Sequence, residues 1–338
     1  MTKPKRTIQK HPQSDLLEHT PDDLRWATPD IVALYRAKRL QCKVIADLGC
    51  GIGFQAFAFA KHCQKVYAIE INKEKIARAE KNAALLNIKN IEFIHGDILD
   101  PNIIQKLKKV DIIFCDPERL PEEEQRSLAT IKPNIQELLN AYQSITNKIA
   151  IEFPPQIQTI PFECEREYLS LNGKLNRLTL YFNGLRQCDR SVVTMPGGER
   201  LQNSTTKTVL PLAAEPEPYL YEIDPAVVKA NLLPELLSTT KTGLLEKGKI
   251  TLATSGKKVS SPFFCHSYRV LANCSDDETE LLNALKQHHA KKVTLRKSID
   301  PRDYWNYRTK LETNLNGTKT ISLFQYKEKL LLAENLDL

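Results

Sequence analysis

A short apolar segment near position 45 runs directly into a glycine-rich turn. Residues 44–47 end at Asp47, and an apolar stretch at 54–62 follows the turn. Glycine permits sharp turns and lets a ligand approach the main chain closely, and the start of the next helix offers unpaired N–H groups. The sequence therefore predicts a strand, a ligand-binding turn and a helix. The glycines of this turn stand at alternate positions and are Gly49, Gly51 and Gly53.

A second apolar segment, 66–69, ends at the carboxylate of Glu70, which lies 23 residues after Asp47. An acidic side chain at the carboxyl end of a strand, at this spacing, is suited to binding two ribose hydroxyls. The dinucleotide fingerprint G-x-G-x-x-G requires a glycine at position 54, where this chain has Phe54. The pattern favours a ribose-containing ligand, with a different dinucleotide fold or a relic nucleotide site as the alternative.

Two further strand ends carry acidic residues, because Asp97 follows the segment 91–95 and Asp116 follows 110–115. The G-x-G-x-G turn and this order of acids resemble the class I S-adenosylmethionine (SAM) methyltransferases. The resemblance implies SAM as the cofactor, with the glycine turn around its methionine part and Asp97 at its adenine. The implied cofactor-binding residues are Asp47, Gly49, Gly51, Gly53, Glu70, Ile71, Asp97 and Ile98.

Strand and helix patterns alternate regularly from residue 44 to residue 153. This alternation predicts parallel strand pairing with right-handed crossovers and hence a doubly wound α/β sheet. The segments 177–182 and 191–195 are predicted as an antiparallel pair that closes the sheet, as in the resembled family. We therefore expect a Rossmann-like, seven-stranded sheet followed by a second, smaller α+β domain.

The chain divides into three predicted regions. Residues 1–20 have little apolar content and are expected to form a flexible basic arm. Residues 21–200 are expected to form the methyltransferase domain, and 216–335 the smaller α+β domain. The segment 219–227, Tyr-Leu-Tyr-Glu-Ile-Asp-Pro-Ala-Val, resembles the opening of the THUMP-like domain of a prokaryotic methyltransferase group. True THUMP domains accompany RNA-modifying enzymes, so this resemblance implies an RNA substrate, tRNA or rRNA.

A weaker resemblance concerns Trp26, which begins the segment Trp-Ala-Thr-Pro-Asp. Trimethylguanosine synthases carry a similar segment before their SAM fold, where the Trp can stack on a purine. The resemblance implies that Trp26 contacts the substrate. The alternative is that Trp26 packs against the sheet edge while Thr28 caps the following helix.

The predicted reaction centre follows the fourth strand and begins with Asp116 and Pro117. Enzymes that methylate exocyclic amines have Asp/Asn/Ser-Pro-Pro-aromatic at this place, whereas this chain has Glu118 and Arg119 in the last two positions. A planar guanidinium stacks on bases and also binds phosphate, so Arg119 is predicted to contact the substrate. The methylated atom stays open, and the alternatives are a structural turn at Asp116 and a solvated pair at Glu118 and Arg119.

The formal net charge is +7, which permits nucleic-acid binding. Five basic residues occur within 286–297 without an acid, and of these Lys291 and Lys292 are predicted to contact RNA phosphates; a solvated basic face is the alternative. None of the eight cysteines forms a C-x-x-C pair, and no apolar run approaches the ~20 residues of a membrane span. We therefore expect no metal, no membrane contact and a cytoplasmic location.

The composition and motifs together favour a SAM-dependent methyltransferase that modifies RNA on a base nitrogen. One alternative is a non-catalytic module that binds SAM or RNA, and the absence of an aromatic residue at position 119 favours it. Another is a methyltransferase that acts on protein or on a small metabolite. The sequence leaves the oligomeric state open.

Overall fold

The structure, a computed structural model, describes residues 10–117, 130–157, 159–297 and 299–337. The chain divides into two compact units. The first unit comprises Met1–Leu169 and Asn176–Gly198, and the second comprises Ser170–Leu175 and Glu199–Leu338. Residues 1–9 of the predicted basic arm lie outside the described ranges.

The described helices and strands occur in the following order: α1 (Pro21–Trp26), α2 (Asp30–Arg39), β1 (Val44–Leu48), α3 (Phe54–Ala60), β2 (Lys65–Glu70), α4 (Lys73–Leu85), β3 (Ile91–His95), α5 (Pro101–Lys106), β4 (Ile112–Cys115), α6 (Ile135–Tyr142), β5 (Ile149–Phe153), β6 (Cys164–Leu171), β7 (Lys174–Phe182), β8 (Arg190–Met195), β9 (Glu199–Gln202), β10 (Tyr219–Ile223), α7 (Pro225–Lys229), α8 (Leu233–Thr240), β11 (Gly243–Lys247), β12 (Thr251–Ser255), β13 (Phe264–Ser275), α9 (Glu278–Gln287), β14 (Ala290–Arg296), α10 (Tyr304–Glu312), β15 (Lys319–Tyr326) and β16 (Lys329–Asn335).

The strands of the first unit follow the order β3-β2-β1-β4-β5-β7-β6-β8. Strands β1 to β5 pair in parallel, and β7 runs antiparallel to β5. This order confirms the predicted doubly wound, Rossmann-like sheet. The first unit contributes eight described strands and not the predicted seven, because β6 is an additional strand. Because parallel strands end at a common edge, the residues that follow β1, β2, β3 and β4 are brought to one side of the sheet.

The closing pair of strands differs from the prediction. The segment predicted to pair with β7 is β8, but β6 lies between them. Strand β6 is difficult to recognise in the sequence because its buried residues include Glu165 and Glu167. Both carboxylates form ion pairs with Arg39 of α2, which allows acidic residues inside a covered strand.

Helices α2 and α3 cover one face of the sheet over β1 and β4. Small side chains on both helices, including Ala37 and Ala56, share one buried cluster with Phe59 and Phe114. Small side chains on a helix allow its backbone to pack closely against the strands, as in this buried cluster. The glycine turn between β1 and α3 is thereby held against the end of the sheet.

Residues 10–20 differ from the predicted flexible arm. The side chain of Leu17 is buried in a cluster that includes Phe54, the first residue of α3. The ring of His11 lies 5.2 Å from the ring of Phe54, measured between centroids. These two contacts anchor a segment whose overall composition is polar, which is why composition alone predicts flexibility for it.

The second unit has a mixed sheet in the order β11-β12-β10-β13-β16-β15-β14. Its pairs are antiparallel except for β14 and β15, which run parallel. Leu281 and Leu285 of α9 and Leu311 of α10 are buried in a cluster with residues of β14 and β15. The unit therefore has the α+β architecture that the sequence predicts for the smaller domain.

Two structural searches were limited to the described ranges. No helix there has the length and apolar character that crossing a membrane requires. No cluster of three or more His, Cys, Asp or Glu side chains suited to hold a metal ion occurs in these ranges either.

Candidate cofactor and active site

The three glycines of the turn after β1 all adopt positive φ angles, between +56° and +92°. Their surroundings differ. A Cβ atom at Gly53 would lie 2.7 Å from the ring of Phe57, whereas a Cβ atom at Gly51 would have no neighbour within 4 Å. Gly53 therefore allows the turn to pack on α3, while the main chain at Gly51 faces open space that a ligand can enter.

Asp47 lies in β1 immediately before this turn and is 1% exposed. Its Oδ2 atom is buried and has no hydrogen-bond partner in the part of the chain that the structure describes. Burial, and then the nearby Asp116 carboxylate, raise the pKa of Asp47 to about 8, and Arg36 opposes the shift. A buried acceptor without a donor is suited to a cationic ligand with N–H groups, such as the ammonium of SAM.

Glu70 is the last residue of β2 and holds the turn in place through both carboxylate oxygens. The backbone N–H of Gly51 donates to Oε2 at 2.9 Å, and the backbone N–H of Asn72 donates to Oε1 at 2.9 Å. A carboxylate oxygen accepts more than one hydrogen bond, so ribose hydroxyls can still be bound. The sequence indicated the ribose role, but nothing in its spacing revealed this contact with the glycine turn.

Glu70→Ala is expected to weaken SAM binding by about 1–3 kcal/mol, because it removes a charged hydrogen-bond acceptor and loosens the turn at Gly51. Calorimetric titration with SAM measures this change. The matched control is Glu74→Ala, an exposed glutamate in the first turn of α4. Equal SAM affinity in Glu70→Ala and the wild type would contradict the assignment.

The other predicted cofactor residues lie at the ends of neighbouring strands. Ile71 follows β2 and is 63% exposed, which leaves its side chain available to a ligand. Asp97 and Ile98 follow β3, where Asp97 Oδ1 accepts from the backbone N–H of Leu99 at 2.9 Å. The hydroxyl of Tyr142 donates to the carbonyl of Ile98 at 2.5 Å. Contact between these residues and adenine stays a prediction.

Asp116 and Pro117 follow β4 and lie next to the glycine turn. The backbone N–H of Asp116 donates to the carbonyl of Leu48 at 3.4 Å, and a Cβ atom at Gly49 would lie 3.3 Å from the carbonyl oxygen of Asp116. The structure thus brings together the turn and the first half of the predicted reaction centre. Glu118 and Arg119 lie outside the described residues.

Trp26, the predicted substrate-stacking residue, ends helix α1 and is 50% exposed. The guanidinium of Arg25 lies 5.0 Å from the centroid of its ring. The alternative cap at Thr28 is wrong, because α2 begins after Pro29 and no side chain caps it. Trp26 therefore keeps an exposed aromatic surface, and its contact with substrate stays a prediction.

Lys291 and Lys292 lie on β14, the last strand of the second unit's sheet, and both are exposed. Neighbouring strand residues normally point to opposite faces, but the register of β14 shifts between Ala290 and Lys292. Two other cations of the basic run form ion pairs, Arg296 with Glu222 and Lys297 with Asp276. Fewer positive charges of this run are therefore left without an acidic neighbour than the sequence suggests.

Arg36 and Glu152 form a buried ion pair that our sequence analysis did not identify. Arg36 lies on α2, and Glu152 lies in β5 one residue before that strand ends. The guanidinium also donates to Oε1 of Gln55 at 2.7 Å, and its carbon lies 4.6 Å from the ring centroid of Phe114. A glutamate inside an otherwise apolar strand is the signal that could have revealed it.

Comparisons with known proteins agree with this geometry. Residues 41–151 match a protein family described as "Methyltransferase domain". A protein of Mycobacterium tuberculosis named an uncharacterized SAM-dependent methyltransferase is 25% identical over 294 residues, which cover 83% of this chain and 78% of that protein. A protein of Clostridium tetani named an uncharacterized RNA methyltransferase is 41% identical over 78 residues, but these cover only 23% of this chain and 17% of that protein.

A solved structure shares the fold over most of the chain. The crystal structure of a putative methyltransferase from Porphyromonas gingivalis superposes on this chain with a TM-score of 0.74 at 16% sequence identity. The superposition covers 94% of this chain and 83% of that one. The glycine turn, the strand order and the matched family lead to one conclusion. Residues 41–151 form a methyltransferase domain, and the cofactor of this enzyme is SAM.

Proposed function

We propose that this methyltransferase modifies RNA, tRNA or rRNA, at a nitrogen of a base. The observation that carries the proposal is the position of Asp116, whose backbone lies against the glycine turn at the end of β4. A carboxylate beside the cofactor turn can orient a nitrogen nucleophile. The exposed lysines of β14 and the partial likeness to proteins named RNA methyltransferases support the choice of RNA.

SAM supplies a methyl group on a sulfonium, which transfers in line to a nucleophile. The protein's task is alignment of the nucleophile with that group. Asp116 accepts a hydrogen bond from the nitrogen and stabilises the positive charge that develops there. Trp26, through its exposed ring, and Arg119 hold the substrate base or its phosphate in this proposal.

We also propose that residues 21–200 are the methyltransferase domain and that residues 216–335 are a THUMP-like domain that contributes RNA affinity. The exposed surface of the second unit supports this role. Helix α10 packs on β14, and its Trp305 is exposed, with the guanidinium of Arg308 5.6 Å from the ring centroid. Exposed lysines with an exposed aromatic ring are typical of surfaces that bind single-stranded RNA.

Reversing two charges on β14, Lys291→Glu with Lys292→Glu, is expected to weaken RNA binding by about tenfold or more at low salt. It should also reduce the slope of log affinity against log salt by roughly 1–2. RNA binding releases fewer counterions when fewer phosphates are contacted by the protein. Fluorescence titration of labelled tRNA and rRNA fragments at two salt concentrations measures both quantities. SAM affinity should stay unchanged.

The matched control is Lys257→Glu with Lys258→Glu, a second exposed lysine pair in the same unit. An equal loss of RNA affinity in both double variants would show general charge attraction and contradict a specific role for β14. The substrate class itself is tested by incubating the enzyme with tritiated SAM and a cell extract, then separating RNA, protein and small molecules. Label recovered in protein or metabolites instead of RNA would reject the proposal.

A further inference from the structure

Arg36 connects three elements beneath the carboxyl edge of the sheet. It is buried in α2, where one terminal nitrogen donates to Oε1 of Gln55 at 2.7 Å and the other contacts Glu152. Gln55 lies in the first turn of α3, directly after the glycine turn, and Glu152 lies near the end of β5. The guanidinium also stacks on Phe114 of β4. Arg36 of α2 therefore contacts α3, β4 and β5, three elements that end or begin near the predicted reaction centre.

The strand register places the acidic residues of the site on the same face. Asp47 of β1 pairs with Phe114 of β4, and Phe114 pairs with Ala150 of β5. Glu152 follows Ala150 by two residues within β5, and Asp116 follows Phe114 by two residues, immediately after β4 ends. Side chains two residues apart in a strand point to one face. The carboxylates of three neighbouring strands thus converge on the side that Arg36 covers.

The charged groups around Asp47 act on its ionisation in opposite directions. Asp47 experiences repulsion from Asp116 and Glu70, and these carboxylates with burial favour its protonated form. Arg36 acts in the opposite direction. The titratable and charged groups that face Arg36 or Asp47 from the packed elements are Glu152, Tyr181, Asp116, Glu70, Cys50 and Cys115, with Arg177 and Lys10 beyond Glu152.

We propose that Arg36 is a positioning residue of the methyltransferase site, whose charge, held in place by Glu152 and Gln55, favours the ionised form of Asp47, the form that binds the cationic cofactor. Binding of the cationic cofactor then releases the proton of Asp47 to solvent. This inference rests on the role assigned above to Asp47. It does not depend on RNA as the substrate.

The test follows SAM affinity and proton release by calorimetry across the pH range, in buffers of different ionisation enthalpy. In the wild type, affinity should rise with pH and level off near the Asp47 pKa of about 8. Below that pH, binding should release about one proton. This sign holds because the ionised form of Asp47 binds the cation, and it prevails only above the pKa.

The decisive variant is Arg36→Met with Glu152→Gln, which removes both charges of the pair and keeps a hydrogen-bond acceptor for Arg177, the second partner of Glu152. We expect the midpoint of the affinity profile to move up by about one pH unit, so that affinity near pH 7 falls roughly tenfold. The single variant Arg36→Lys keeps the positive charge and should therefore show the wild-type pH midpoint. Thermal unfolding of each variant reports whether it folds.

The matched control is Arg39→Met with Glu167→Met, which removes another buried ion pair of the same helix. The remaining Glu165 keeps its hydrogen bonds from Ser191 and Gln187. If Arg36 only stabilised the fold through its ion pair, both double variants would unfold at a lower temperature, and neither would change the pH midpoint of SAM affinity. An unchanged midpoint in the Arg36 variant, or an equal shift in the Arg39 control, would overturn the proposal.

Asp47→Asn separates this proposal from the assignment on which it rests. It should abolish both the pH dependence near 8 and the proton release. If both persist, the titrating group is not Asp47, and the proposed function of Asp47 and the role of Arg36 fail together. If both disappear while the Arg36 variant behaves as wild type, only the role of Arg36 fails.

Discussion

Replacing Asp116 with Asn is expected to reduce turnover by roughly 10²-fold or more while SAM affinity stays within a few fold. Asp116 lies beside the glycine turn but is separate from the carboxylates of Asp47 and Glu70, which serve the cofactor in our proposal. Its carboxylate would contact the nucleophile and not SAM, and that hydrogen bond would strengthen as positive charge develops on the nitrogen during methyl transfer. Loss of such a contact lowers the rate of the chemical step and leaves ground-state binding nearly unchanged.

The measurement combines single-turnover methylation of the RNA substrate with a calorimetric SAM titration. Asp111→Asn is the matched control, because Asp111 immediately precedes β4 at its opposite end and its Oδ2 accepts from the backbone N–H of Val44 at 2.8 Å. The control should keep its rate. If Asp116→Asn also keeps its rate, the reaction centre lies elsewhere, and Trp26 and residues 154–155 become the next candidates.

The sequence predicted the part of the fold whose signals are local. The strands β1 to β5 are short and mainly apolar, and β1 to β4 each end at or just before a glycine or an acid. The common edge then follows from parallel pairing alone. The positions of Asp47, Glu70 and Asp116 could therefore be predicted without coordinates.

The features that the sequence did not reveal depend on partners far along the chain. Strand β6 carries acids that are tolerated because Arg39, about 130 residues away in the sequence, pairs with both, and other groups such as the Ser191 hydroxyl donate hydrogen bonds to them. Arg36 shows the same dependence on Glu152. In the N-terminal segment, the contact of Leu17 with Phe54 outweighs a polar composition. Such pairings leave no periodic pattern, so hydrophobic periodicity cannot predict them.

Two glycines of the turn, Gly51 and Gly53, are expected to have different roles. Gly51 should matter for cofactor binding, and Gly53 should matter for stability. Gly51→Ala places a methyl group in open space at a φ of +56°, so its cost to folding is limited to backbone strain of about 1–2 kcal/mol. In our proposal the cofactor packs against the main chain here, so the same methyl group would enter its binding space. We therefore expect SAM affinity to fall by about 10- to 100-fold, since a ligand that packs on the main chain must shift away.

Gly53→Ala should show the opposite behaviour. Its methyl group would lie 2.7 Å from the buried ring of Phe57 and 3.3 Å from the Cβ atom of Ala79. Overpacking of about 1–3 kcal/mol adds to the left-handed strain, so the free energy of unfolding should fall by about 2–5 kcal/mol. Urea unfolding of the purified variants measures this change. Any loss of SAM affinity should be smaller than in Gly51→Ala once the protein is folded.

Gly198→Ala calibrates both variants, because Gly198 has a φ of +80° and no atom within 4 Å of an added Cβ. Its change in stability therefore measures the backbone strain alone. We expect Gly51→Ala to match it in stability and Gly53→Ala to exceed it by the cost of the clash with Phe57. Wild-type SAM affinity in Gly51→Ala would mean that the cofactor does not contact this side of the turn. Equal stability of Gly53→Ala and Gly198→Ala would mean that Phe57 can move aside, and the packing argument for Gly53 would then be wrong.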